Sequence, residues 1–228
     1  MVISDFLNSF ESDARSFVTL VASSDLDLQV PPCPGWQLRD LAVHLGTVHR
    51  WAKACIETNG PLPLVESPID DALLLEWLDE GVTELSNLLR SSSPQDNRWT
   101  FGPEPKLMSF WYRRQAQEAA VHLWDARSAL GVFEPIGESL AADGVAEVFE
   151  VFIPRQVGRG RMQVPGEGLR IELNDGRTFD LGQSISGEVR GSASDILLAL
   201  WHRIPASSLE TDADEQVVER AFALALTS

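Results

Sequence analysis

The amino-acid sequence predicts an α+β protein: a four-helix bundle over residues 1–136, followed by a smaller α+β domain over residues 137–228. Two observations carry this expectation. Between residues 4 and 130, apolar side chains recur three and four apart in four long stretches, the period of a helix with one buried face. After Pro135 the pattern changes to short alternating segments separated by turn residues, the mark of strands. A chain of 228 residues, 44% hydrophobic, can bury cores of this size without disulfide staples.

The first helix is expected over residues 4–24, capped by Ser4, with Phe6, Phe10, Phe17, Leu20 and Val21 on its apolar face. Val30-Pro31-Pro32-Cys33-Pro34-Gly35 then enforces a stiff, extended approach, because proline fixes its own φ and restricts the residue before it. The second helix begins near Trp36 and reaches Thr58 on a stripe of Leu38, Leu41, Leu45, Val48 and Ala52, and Asn59-Gly60-Pro61 stops it. The third spans residues 69–89 with Leu73, Leu74, Trp77, Leu78, Val82, Leu85 and Leu89 as its stripe. The fourth spans 106–130, and Gly131 is a natural residue to follow its C-terminus. Four long amphipathic helices with modest connections read as a bundle.

Beyond Pro135 a shorter helix is expected over 142–152. Three strands follow at 169–173, 178–181 and 184–189, with Asn174-Asp175-Gly176 as a hairpin signal between the first two. Two further helices are expected, over 192–202 and 214–226.

Composition narrows the function. The chain carries 18 basic residues against 34 acidic ones, a net charge of −16, with no basic run to neutralise phosphates. Nucleic acids and anionic membranes are therefore not expected partners. The N-terminal residues have neither the basic nor the apolar region of a signal peptide, and no stretch approaches the roughly 20 apolar residues of a membrane span. Two cysteines, Cys33 and Cys55, are too few for a disulfide framework, and the expected location is the cytoplasm with both thiols reduced.

The candidate chemistry lies in the histidines, of which there are four: His44, His49, His122 and His202. Glu118 and His122 are four apart, one turn along one helix face, so both can reach one ion. His44 is flanked on its own helix by Leu41 and Val48 and points near the bundle interior. Two imidazoles and one carboxylate form a common set for a catalytic zinc with coordination positions left open. On spacing alone, a hydrogen-bonded core histidine and a helix-surface ion pair fit the same pattern. His49 is five residues from His44, about 140° around the helix, and is expected outside the site. His202 is expected at a surface or an interface rather than as a ligand. Asp40 and Asp125 could each orient an imidazole from behind, Asp40 fitting equally the start of its helix. Of Arg113 and Arg114, one could face the cleft and bind an anionic substrate, Arg114 being the candidate accessory residue, with a surface ion pair expected for at least one. No Gly-x-Ser-x-Gly elbow, phosphate-cradling loop or dinucleotide fingerprint is present, and no base is evident for Cys33.

Two segments resemble a known family. Pro32-Cys33-Pro34-Gly35-Trp36-Gln37-Leu38-Arg39-Asp40-Leu41-Ala42-Val43-His44-Leu45 is similar to one signature of the mycothiol-dependent maleylpyruvate isomerases, which belong to the DinB-like metalloenzymes. Glu118-Ala-Ala-Val-His122-Leu-Trp124-Asp125-Ala126 resembles the second signature, with Leu123 where that signature usually has Arg. Asp143-Gly144-Val145 and the segment from Gly191 to Leu198 resemble the family's smaller, sterol-carrier-like C-terminal domain. The resemblance implies that His44, Glu118 and His122 bind a divalent metal, most simply zinc. It further implies that the sulfur of mycothiol or a similar thiol sits on that metal as a thiolate and adds to an electrophilic small molecule. Elimination after bond rotation would make the reaction an isomerisation, and retention of the adduct would make it an S-transfer. A non-catalytic protein that binds metal and thiol is the alternative. Both a monomer and a homodimer are compatible with the sequence.

Overall fold

A computed structural model describes residues 1–66, 69–224 and 226–227. The chain divides into two compact units, Met1–Glu134 and Pro135–Ser228.

The first unit holds α1 (Ile3–Ala22), α2 (Leu38–Thr58), α3 (Asp71–Ser91) and α4 (Ser109–Ala129). Their starts are set by acidic residues more than the sequence suggests. Ser4, the expected cap, lies inside α1, and the Asp5 carboxylate accepts the Val2 N–H at 2.9 Å. Trp36 stays outside α2, whose first turn is closed by the Asp40 carboxylate accepting the Gln37 N–H at 2.8 Å. Asp70 caps α3 by accepting the Ala72 N–H at 2.9 Å, so this helix starts at Asp71 rather than at residue 69. The fourth helix starts three residues later than expected, because Arg98 N–H bonds the Lys106 carbonyl and Met108 N–H the Asp96 carbonyl, folding this approach back on itself. Asn59 ends α2 in the left-handed region at φ 50°.

The four helices close a ring in which α1 packs against α4 and α3, and α2 packs against α3 and α4. Phe17, Val21, Leu38, Leu41, Leu45, Leu74, Leu78, Leu123 and Ala126 meet in its core. Leu73, expected in the α3 stripe, is 52% exposed, because it sits about 100° around the helix from Leu74, which holds the buried line with Leu78, Val82, Leu85 and Leu89. Two glycines lie where α2 and α3 approach closely. A Cβ on Gly46 would lie 2.2 Å from the Trp77 ring, and one on Gly81 would lie 2.3 Å from the Arg50 guanidinium. That guanidinium in turn lies 4.1 Å from the Trp77 ring centroid.

The fourth helix departs from the amphipathic reading. Fifteen of its 21 residues are buried, and Arg114, Gln115, Gln117, His122, Asp125 and Ser128 are among them. A surface helix keeps its polar groups on the wet side, so α4 carries its polar residues inside for another reason.

The second unit begins with α5 (Glu138–Glu147), one wider π turn over Val148–Phe152, and α6 (Ile153–Gly158). The helical stretch is therefore longer than the 142–152 expected. Pro154 has no N–H, and the Ile153 N–H reaches five residues back to the Val148 carbonyl, which lets the helix continue through the proline. Strands β1 (Glu167–Leu173), β2 (Thr178–Leu181), β3 (Ser184–Gly191) and β4 (Glu210–Thr211) form one mixed sheet in the order β2-β1-β3-β4. The Asn174-Asp175-Gly176 turn joins β1 to β2 antiparallel, with Gly176 at φ 86°, while β3 lies parallel to β1 on its other side. The two-residue β4, antiparallel to β3, is too short to leave an alternation in the sequence. Ser192 and Asp214 cap α7 (Ala193–Leu200) and α8 (Glu215–Phe222). The last helix ends at Phe222, short of the expected residue 226, and Ala225 lies outside the described residues. No described helix is long and apolar enough to cross a membrane.

Candidate metal centre

The second and fourth helices face one another in the bundle, and they carry the three predicted ligands. One ligand atom each from His44, Glu118 and His122 lie within 4.8 Å of one another. His122 Nε2 is 3.1 Å from Glu118 Oε1, and His44 Nε2 is 3.7 Å from the same oxygen. The spacing of four brings Glu118 and His122 onto one side of α4, and the two imidazoles meet edge to face with centroids 5.1 Å apart. The Trp36 and His44 ring centroids lie 5.1 Å apart, so the loop ahead of α2 packs its indole against the imidazole. Gly35, at φ 83°, turns the chain there.

Each imidazole has a carboxylate at its second nitrogen. His122 Nδ1 is 3.0 Å from Asp125 Oδ2, and His44 Nδ1 is 2.9 Å from Glu66 Oε1. A carboxylate only accepts, so each Nδ1 donates to its supporting carboxylate, and His122 Nε2 donates to Glu118 Oε1, a hydrogen it must release to ligate a cation. Asp125 stands where the sequence suggests a supporting acceptor, whereas Asp40 serves its helix start. Glu66 has no sequence signal: it lies 22 residues from His44, outside any motif and any helix.

The predicted accessory residue, Arg114, is not a surface cation. It is 3% exposed, and its guanidinium donates to Glu118 Oε2 at 2.9 Å, leaving Oε1 toward the imidazoles. Burial alone would raise the Glu118 pKa, but His122, His44 and Arg114 outweigh it and hold this carboxyl well below the ordinary range. Burial alone would lower the His122 pKa, yet Glu118 and Asp125 raise it to about 9. Cys33 also reaches the site: its thiol donates to Asp125 Oδ2 at 3.7 Å, a neighbour no local pattern reveals. His49 lies outside the converging set, fully buried against Phe10. His202 is exposed, at φ 58°, with Nε2 2.6 Å from the Phe222 carbonyl.

These donors fit a divalent cation. Two imidazole nitrogens and a carboxylate oxygen converge with their supporting groups in place, and three protein ligands leave coordination positions for a further donor. Among the described residues no other cluster of this kind occurs.

Comparison with known proteins bears on the whole chain. Residues 8–127 match the mycothiol maleylpyruvate isomerase N-terminal domain, and residues 139–220 match the C-terminal domain of the same family. Among solved structures, a crystal structure of the mycothiol-dependent maleylpyruvate isomerase superposes with a TM-score of 0.72 at 16% identity, covering 93% of each chain. A mutant of a mycothiol-dependent maleylpyruvate isomerase superposes with a TM-score of 0.71 at 14% identity, again over 93% of each chain. At these identities the likeness is one of fold. No curated protein matches. With over half of its residues in the first match alone and the second domain following in order, the chain belongs to the mycothiol maleylpyruvate isomerase family.

Proposed function

We propose that this protein is a metal- and thiol-dependent enzyme, an isomerase or S-transferase acting on an electrophilic small molecule. The bundle, residues 1–136, is the metal-binding domain and residues 137–228 the smaller one. His44, Glu118 and His122 hold one divalent cation, and a mixed nitrogen and oxygen set of this kind suits zinc. Mycothiol or a similar low-molecular-weight thiol is the cosubstrate, as the printed name of the solved relatives states for those proteins. Cys33 and Cys55, which form no disulfide, and the need for a reduced thiol fit the cytoplasm.

The observation that carries this reading is the convergence of three ligand atoms backed by two carboxylates and one buried arginine. When bound, the cation lowers the pKa of a coordinated thiol so that it is held as the thiolate. The chain's own residues prepare the place. Asp125 holds the His122 proton on Nδ1, which leaves Nε2 as the nitrogen that ligates the cation once its own proton is released. Arg114 occupies Glu118 Oε2 and compensates one buried negative charge. Trp36 and His122 both pack against the His44 ring and limit its rotation. No protein nucleophile is needed, since the attacking sulfur arrives with the cosubstrate.

Metal content by mass spectrometry, followed by assays of maleylpyruvate and a panel of electrophiles with and without mycothiol, tests this. The expected result is about one cation per chain and turnover that needs both cation and thiol. Turnover that survives chelation or omission of thiol overturns the reading, and binding of both without turnover of any electrophile makes the protein a non-catalytic binder.

A further inference from the structure

We infer that Glu66 is a positioning residue for the metal centre, holding His44 in the tautomer and orientation that present Nε2 to the cation. This rests on the metal reading above. The Glu66 Oε1 atom is 2.9 Å from His44 Nδ1, and Asp125 makes the corresponding contact to His122 at 3.0 Å. The two histidines are thus supported in the same way from two unrelated parts of the chain, one on α4 and one on the connection between α2 and α3.

The place of Glu66 is fixed by the chain as well as by the contact. Trp51 lies seven residues after His44, two turns along α2, which is about 10 Å of rise and about 20° off the same face. Its Nε1–H donates to the Leu62 carbonyl at 2.8 Å. Four residue steps separate Leu62 from Glu66, and four extended steps span about 13 Å. Residues 62–66 therefore run back along α2 from Trp51 to His44 with little slack. The contact itself adds little stability. Glu66 is 51% exposed, and exposed pairs are worth at most about 1 kcal/mol. Its effect falls on the proton of His44: Trp36 and His122 restrain the ring, but neither accepts a proton from Nδ1.

The test compares the parent with Glu66→Ala, Glu66→Gln and Glu57→Gln. The last removes one negative charge from α2, where Glu57 pairs with Lys53, without touching the site. Zinc affinity is read by competition with a chromophoric chelator, and the His44 tautomer by side-chain ¹⁵N shifts of the metal-free protein. Glu66→Ala is expected to weaken zinc binding about 10-fold, the lower end for loss of such a supporting carboxylate. It is also expected to move His44 from the Nδ1–H form to a mixture. Glu66→Gln, which keeps an oxygen acceptor, is expected to fall between Glu66→Ala and the parent, and melting temperatures are expected to agree within about 2 °C, given the small value of an exposed pair. Zinc affinity in Glu66→Ala no weaker than in Glu57→Gln, or an unchanged His44 tautomer, overturns the inference while leaving the metal reading intact. A parent that binds no zinc defeats the metal reading first. The ¹⁵N spectrum then still decides whether Glu66 sets the tautomer.

Discussion

His49 is wholly buried on α2, edge-on to Phe10 with ring centroids 5.3 Å apart, and neither ring nitrogen has a hydrogen-bond partner among the described residues. Desolvation lowers its pKa from 6.5 to about 3, so the folded chain keeps it neutral where the unfolded chain protonates it. The sign follows: stability is full above pH 6.5 and is lost as pH falls toward the folded value. Between pH 6.5 and 5 the loss amounts to about 2 kcal/mol at 1.36 kcal/mol per unit. His49→Phe, similar in shape, is expected to remove that part of the acid sensitivity, and urea melts of metal-free parent and variant at both pH values measure the difference. Equal losses would contradict it. At the other side of the site, Asp125→Asn is expected to weaken zinc affinity about 10- to 100-fold, the cost of losing a carboxylate behind a ligating imidazole, with equilibrium dialysis as the check. Much of this site is legible in the sequence. The Glu118–His122 spacing marks one helix face, and the proline-rich signature brings in His44. Glu66 and the Cys33–Asp125 contact are not legible, because they join residues 22 and 92 positions apart with no periodicity to link them.

Among elements, the stripes of α1, α2 and α3 announce themselves because each has a wet face to contrast with a buried one. The fourth helix announces its length but not its burial, since six of its buried residues are polar, among them Arg114, which pairs with Glu118, and His122, which pairs with Asp125 on the same helix. The wider turn before Pro154 and the two-residue β4 escape for a related reason: both are settled by backbone pairing rather than by side-chain pattern. The approach of α2 to α3 yields a sharp contrast. Gly46→Ala drives a methyl into the Trp77 ring, which is wedged under Arg50, and is expected to cost about 1–3 kcal/mol as overpacking. Gly81→Ala meets only the far end of the Arg50 side chain. It is expected to lie between neutral and about 1 kcal/mol more stable, because alanine favours a helix interior. Thermal melts of the two variants order them, and a destabilised Gly81→Ala would show that the Arg50 guanidinium cannot yield.

For the whole molecule, a net charge of −16 raises the local concentration of cations and opposes compaction. Saturating zinc at about 1,000 times its dissociation constant is expected to stabilise the folded chain by about 4 kcal/mol, and chelation to reverse this. Scanning calorimetry with and without chelator checks it, and no difference would mean that the ion binds folded and unfolded chains alike. The helix ring has a consequence for synthesis. The first helix, with Phe6, Phe10 and Phe17 on its buried face, packs against the fourth, so its docking partner is made more than a hundred residues after it. A ribosome adding about 5–20 residues per second leaves that phenylalanine face uncovered for several seconds at least. Until α4 emerges, the growing chain carries only His44 of the three proposed ligands, so under that proposal metal loading follows closure of the ring and belongs to the finished bundle rather than to the nascent chain.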